Sequence, residues 1–295
     1  MSVARRAADC DTTTIMASST LAHRLKQDLL PAMLLMLAIY HCAVTVITSP
    51  TLLFSIPVLK KKSFARLWLA VATDFAADPP PALPSLLATA TGTVLDIGPR
   101  TGVQLTHFTP AITSIDRIYG AEPGDEFHAE LAANAAKAGL GEKYRILGCG
   151  AELASLLPAL RTEGVLASKA TEGGEKGGDP EDQGVFDTII SDRVLCSVPH
   201  PRATIAGLYA LLKPGGRLIV CEHVANAWQR PGGSAFARLL QAFYMSLGWS
   251  FFCGGCHLDR DTGRVLREAG RWESVTLEVV DGATALPHVL GVLVK

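Results

Sequence analysis

Two kinds of hydrophobic patterning divide the chain. From Leu29 to Leu59 no residue is charged: LLPAMLLMLAIYHCAVTVITSPTLLFSIPVL. Beyond the Pro-rich DPPPALP segment (Asp78 to Pro84), short apolar runs alternate with amphipathic stretches. The runs TVLDI, SIDRIYGAE, YRIL, FDTIIS and RLIVCEH predict strands, and DEFHAELAANAAKAGL and PRATIAGLYALLK predict helices. Continuous apolar strands separated by helices imply an α/β fold with a parallel sheet covered on both faces. SVTLEVV and HVLGVLVK have no helix between them, which predicts an antiparallel closing pair. The segment 163–184, EGVLASKATEGGEKGGDPEDQG, has too few large apolar groups to offset its ordering entropy and is expected to be a flexible surface insertion.

The uncharged run is longer than a straight span needs. As a helix, about 30 residues reach about 45 Å, against about 30 Å of hydrocarbon. Pro50 and Pro57 each remove a backbone donor and predict breaks. Two forms of membrane anchor fit: a span ending near Ser49 with the remainder at the interface, or a hairpin of two short arms. A cleaved signal peptide fits less well, because the run begins behind a polar lead containing Asp9, Asp11 and Asp28. Lys60, Lys61, Lys62 and Arg66 follow the run, against Arg24 and Lys26 before it, which predicts a cytosolic main domain and contact with anionic headgroups through residues 29–62. The expected organisation is a polar tail (1–28), a membrane anchor (29–59), a basic and Pro-rich linker (60–84) and a main domain (85–295).

Charge and cysteine content narrow the class. The 27 Lys and Arg nearly balance 28 Asp and Glu, which argues against nucleic acid as a partner. Seven scattered cysteines, several in apolar runs, read as reduced thiols rather than a disulfide framework.

Candidate chemistry begins at VLDIGPRTGVQL (Val94–Leu105): a strand ending in an acid, a glycine turn, then the start of a helix. The turn at the end of the first strand is where open parallel sheets bind ligands. It lacks the Lys-Ser/Thr pair of a phosphate loop, and Gly98, Arg100 and Val103 match a nicotinamide G-x-G-x-x-G only at the first position. Asp96, Gly98 and Gly102 fit the acid-x-Gly-x-Gly-x-Gly loop of S-adenosylmethionine binders, with Arg100 in place of the middle glycine. A strand-end carboxylate suits a cationic ligand, and glycine permits close backbone approach. Glu122, ending the second strand in YGAEP, is set to accept from ribose hydroxyls. Gly150 and Ala151, after the third strand, offer amides to an adenine edge.

LDIGPRTG, YGAEP, FDTIISDRVLCSV, LLKPGGRLIVCEHV and GGCHLDRDT, in that order, resemble the class I S-adenosylmethionine-dependent methyltransferases, and more narrowly the membrane-anchored thiol S-methyltransferase group. The resemblance covers roughly residues 62–295. It implies a Rossmann-like seven-stranded, mostly parallel sheet with its last pair reversed, S-adenosylmethionine as methyl donor, and an endoplasmic-reticulum or lipid-droplet surface location. Arg100 departs from the pattern; its guanidinium is expected either to turn outward or to pair with the cofactor's carboxylate.

On the acceptor side, His223 at the end of the fifth strand is the candidate base, with Glu222 orienting it or lining the pocket. Ser191 and Asp192 close the fourth strand beside the methionine part of the cofactor, and Asp192 and His257 are weaker base candidates. A thiol acceptor needs modest help to ionise, an aliphatic hydroxyl a stronger base. Residues 224–258 form an aromatic-rich insertion that suits a wall for a small lipophilic acceptor. Cys253-Gly-Gly-Cys256-His257 matches haem-attachment and redox patterns, but its late position favours a structural turn near that pocket, and no metal site is expected. The expectation is a monomeric S-adenosylmethionine-dependent methyltransferase with a thiol acceptor foremost; an O- or N-methyltransferase of secondary metabolism, and a catalytically silent membrane-bound scaffold, stay open.

Overall fold

The computed structural model describes residues 2–166 and 184–295, with side chains described from residue 23 onward. Most of the predicted 163–184 insertion therefore lies outside the described residues. Seven strands form one sheet: β1 (Gly92–Ile97), β2 (Ile115–Ala121), β3 (Tyr144–Leu147), β4 (Phe186–Asp192), β5 (Leu212–His223), β6 (Ser274–Val280) and β7 (His288–Val294). Their order is β3-β2-β1-β4-β5-β7-β6. The first five pair in parallel, while β7 runs antiparallel to both β5 and β6. Each strand expected from the hydrophobic runs is present. The order reverses direction at β1 and β4, which places the ligand crevice beyond their carboxyl ends.

Alternation along the strands builds two core layers. Leu95 and Ile97 of β1 pack with Leu156 and Leu160 of α5 (Leu153–Thr162) and Ile205 and Leu208 of α6 (Pro201–Leu211). Val94 turns to the other face, with Leu87 of α3 (Leu83–Leu87), Phe108, and Leu131 and Ala135 of α4 (Asp125–Lys137). After the glycine turn the chain forms a 3₁₀ segment, Val103–Ala111, rather than the α-helix its sequence suggests; Pro110 near its end cannot donate to a longer ladder.

The N-terminal part differs from the expected tail, anchor and linker. The helix α1 runs from Ser2 to Thr48 and ends before Pro50; a 3₁₀ turn, Pro50–Phe54, leads into α2 (Ile56–Ala77). Pro57 starts α2 rather than breaking a helix, since its missing N–H falls in the first turn. Most of the basic linker is thus helical, and Leu59, Ala65, Leu67, Trp68, Val71 and Ala72 are buried. α1 and α2 run antiparallel, tied at one end by Lys26 and Asp78 at 2.9 Å. Leu34, Leu35 and Ala38 of α1 pack in one cluster with Leu67 and Val71 of α2, Tyr244 of α7 (Ala235–Ser246) and Trp249 of α8 (Trp249–Phe252). Asp28 of α1 accepts from the Ala285 N–H at 2.7 Å. The opposite side of α1 is apolar and exposed, and Phe54 at the turn is 94% exposed. His23–Thr48 is 26 residues long and apolar enough to cross a membrane by length and composition.

Candidate active site

A cavity of about 370 Å³ opens at the strand ends, within the usual size of small-molecule sites. Gly98 after β1, Glu122 after β2, Gly150 and Ala151 after β3, and Val194 after β4 form its wall. Lys61 and Phe64 of α2 close one side. Five of the residues expected at a cofactor site therefore meet there: Gly98, Arg100, Glu122, Gly150 and Ala151.

The glycine turn is held by the chain's own packing. Gly98 has φ +56 and Gly102 φ +69. A Cβ on Gly98 would stand 2.7 Å from Val194, and one on Gly102 2.6 Å from Leu131 of α4. Gly102 serves the seam with α4 and does not line the cavity. Arg100 itself sits at φ +52, a left-handed conformation that costs a side-chain-bearing residue about 1–2 kcal/mol. Three contacts hold it there. Its N–H donates to Glu122 Oε2 at 2.8 Å, and Nη2 donates to the Arg193 carbonyl at 2.7 Å. Its guanidinium carbon lies 4.4 Å from the Trp68 ring centroid. Trp68 in turn donates to Thr101 Oγ1 at 3.0 Å. The guanidinium is neither turned to solvent nor free in the cavity; it is laid against α2.

Glu122 is 3% exposed, and burial pushes its pKa up. Its Oε1 accepts from the Gly124 N–H at 2.7 Å and its Oε2 from Arg100. Each oxygen keeps acceptor capacity for a further donor. Asp96, expected beside it, does not line the cavity. It alternates with Leu95 and Ile97 and so turns to the opposite face, where Oδ2 accepts from the Tyr144 hydroxyl at 3.0 Å and from Gln104 at 3.4 Å. Its Oδ1 has no partner among the described residues, and burial raises its pKa to about 7.

A second, smaller chamber of about 70 Å³ shares Phe64, Arg100 and Ser197 with the first. Its walls are mostly apolar: Leu34 from α1, Leu67, Trp68, Val71 and Phe75 from α2, and Trp249. Arg193, Cys196, His223, Cys253 and Cys256 supply the remainder. His223 Nδ1 lies 3.8 Å from Cys256 Sγ, and its ring packs on His288 at 4.6 Å. Burial, followed by the neighbouring His288 and Arg193, holds the His223 pKa well below its ordinary 6.5, so the imidazole is neutral.

Other expected site residues serve structure. Glu222 lines neither chamber. It is fully buried, accepts from the Ser191 hydroxyl, and accepts the N–H groups of Val194 at 2.9 Å and Cys196 at 3.4 Å. It therefore staples the loop after β4 instead of orienting His223, and Ser191 is occupied in that staple. Asp192 forms a buried pair with Arg193 at 2.8 Å. The His257 imidazole lies 3.6 Å from Asp259, away from both chambers, while the backbone N–H of His257 donates to the Cys196 carbonyl at 2.9 Å. Sequence patterning missed Phe64, Trp68 and Arg193. The run FARLWLAVATDF carries the first two at helical spacing, but the adjoining lysines and prolines disguise it.

A family model described as a methyltransferase domain matches residues 68–271, more than half of the chain. The chain belongs to that methyltransferase-domain family. Rat thiol S-methyltransferase TMT1B is 34% identical over 114 residues, 37% of this chain and 44% of that protein. The human thiol S-methyltransferase TMT1B is 32% identical over 116 residues, 38% of this chain and 45% of that protein. The chain thus matches under half the length of these curated relatives. An O-methyltransferase family protein from Burkholderia thailandensis shares the fold with a TM-score of 0.51 at 13% identity, over 88% of this chain and 70% of that one. The matched methyltransferase domain begins in α2 at Trp68, the residue that stacks on Arg100. α1 and the apolar turn precede it.

Proposed function

We propose that the protein uses S-adenosylmethionine to methylate a small lipophilic acceptor, a thiol foremost, at a membrane surface. The observation that carries this reading is the pair of chambers meeting at Phe64, Arg100 and Ser197, one roomy and rimmed by polar groups, the other small and apolar. The residues of the larger chamber fit the methyl donor. Glu122 would accept from its ribose hydroxyls, the backbone at Gly150 and Ala151 would meet the adenine, and Gly98 offers no side chain to obstruct it. When bound, the cofactor supplies an electrophilic methyl on sulfur. The chain's own residues align the acceptor in the smaller chamber and exclude water from it. A thiol suits this site better than an alcohol, because among the described residues no carboxylate lines the smaller chamber and the neutral His223 is a modest base.

Isothermal titration with S-adenosylmethionine, followed by label transfer to thiol, phenol and amine panels, tests the proposal. Saturable heat and labelled thioether are expected. Labelled phenol or amine alone would replace the acceptor class; absence of both heat and turnover would leave a silent scaffold.

For the membrane we propose that the exposed side of α1 (Leu29, Met33, Met36), the turn at Leu53 and Phe54, and α7 through Phe236, Leu239 and Phe243 enter the bilayer. One side of α1 is already packed on the domain, which favours burial along the interface over a free spanning helix. A cytosol-facing endoplasmic-reticulum or lipid-droplet surface is the proposed location, to be checked by fractionation and protease protection, and a monomer suits a site completed by one chain.

A further inference from the structure

Three side chains from separate parts of the chain converge at the smaller chamber: Cys196 after β4, His223 at the end of β5, and Cys256 between α8 and α9 (Thr262–Glu268). One donor atom from each lies within 4.8 Å of the others, and the Cys256 sulfur stands 3.8 Å from His223 Nδ1. Around zinc, with sulfur at about 2.3 Å and nitrogen at about 2.0–2.1 Å, tetrahedral ligand atoms stand roughly 3.5–3.8 Å apart. The Cys256–His223 edge is within about 0.3 Å of its sulfur–nitrogen length in that tetrahedron, and side-chain rotations would close the others.

We propose that Cys196, His223 and Cys256 form a binding site for a soft divalent transition metal, Zn²⁺ foremost, whose fourth position opens into the apolar chamber. Thiolate and imidazole donors match such an ion, and three protein ligands leave one position free. Two thiolates balance the ion's charge, so the apolar surroundings take on no net charge. The ligand-bearing segments are fixed before any ion arrives. Glu222 holds the Cys196 N–H at 3.4 Å, and Arg260 holds the same loop through the carbonyls of Leu195 at 2.9 Å and Val198 at 2.7 Å. The His257 N–H joins the Cys256 segment to the Cys196 carbonyl. Gly254 and Gly255, at φ +64 and +86, turn that segment inward; a Cβ on Gly254 would lie 2.8 Å from Phe64. Cys253, the other half of the C-x-x-C motif, lines the chamber but is not one of the three.

The metal site stands independently of the methyl-transfer reading. Where both hold, and resting on that reading, His223 is a ligand rather than a base. An acceptor thiol then takes the open position: its S–H bond breaks, a metal–sulfur bond forms, and the proton leaves to solvent.

The test uses the full chain in detergent, stripped with a chelator and titrated with Co²⁺. Saturation at one equivalent is expected, with thiolate-to-cobalt charge transfer in the near ultraviolet, tetrahedral visible bands, and displacement of both by Zn²⁺. C196S and C256S should each weaken the charge-transfer band and lower Zn²⁺ affinity at least about tenfold, while C253S leaves both unchanged. A folded wild-type protein with no such band overturns the proposal without any variant. So does a band that survives C196S and C256S, or one that C253S abolishes. A parallel S-adenosylmethionine titration separates the two claims: cofactor heat without a cobalt band removes the metal site alone, and a band without heat removes the methyltransferase reading alone.

Discussion

Arg100 shows how a residue unsuited to its backbone position is retained. Its left-handed conformation is offset by hydrogen bonds to Glu122 and Arg193 and by the Trp68 face. Trp68→Ala should release the guanidinium, lower stability by about 3–5 kcal/mol, and weaken S-adenosylmethionine binding, as thermal melting and calorimetry would reveal. Glu122→Gln should weaken cofactor binding about tenfold or more while leaving the fold intact, because the amide oxygen still accepts one backbone N–H. A loss confined to stability, with binding unchanged, would remove Glu122 from the site. Asp96 supplies a pH signature. Its folded pKa of about 7 lies above the ordinary 3.8, so the folded state holds the extra proton between those values. Its stabilising contribution is complete below about pH 4 and is lost as pH rises through about 7. Relative to Asp96→Asn, the wild type should therefore lose stability, by an amount of the order of a few kcal/mol, between pH 5 and pH 8. Melts across that range that stay parallel would refute the buried titration. The left-handed turn at Gly98 and Gly102 and the strand-end position of Glu122 were readable in the sequence because turn chemistry and strand ends are local properties, whereas the packing of Gly102 on α4 was not. The inward turn of Asp96 was not, because one residue of alternation decides which face it meets.

At the level of elements, every strand could be read from the chain, since buried parallel strands are continuous apolar runs of recognisable length. α2 could not. Its lysines suggested an anchor to anionic headgroups at the start of a linker, yet Lys60 and Lys61 stand at the rim of the larger chamber, and Lys61 pairs with Asp125 and Glu126 of α4. The helix between them and Asp78 buries its other side against the domain. Glu222 was misread for a related reason: a strand-end acid next to a histidine looks catalytic until the loop that consumes it is seen. Glu222→Ala should free the N–H groups of Val194 and Cys196 and cost about 1–3 kcal/mol, accompanied by lost cofactor binding, whereas Glu222→Gln keeps most of the staple. Limited proteolysis of the loop after β4 would report the difference.

For the whole molecule, the smaller chamber is completed only where the N-terminal helices meet the sheet domain. A chain lacking residues 2–48 would uncover Leu67, Val71 and Trp249, and it should melt lower and aggregate even in detergent, a result visible by scanning calorimetry. By contrast, Phe54→Glu changes an exposed position. It should leave folding stability within about 0.5 kcal/mol of the parent yet reduce flotation with anionic vesicles. Equal flotation of parent and variant would discard the turn as a lipid contact.

Leu34 gives α1 a second consequence. The same helix that walls the smaller chamber shows an apolar side to its surroundings. An acceptor dissolved among acyl chains would then be separated from its destination by one helix thickness and no aqueous layer. Turnover should accordingly follow the acceptor's mole fraction in the lipid phase rather than its molarity in water, and diluting vesicles with inert phospholipid should slow the reaction at constant bulk concentration.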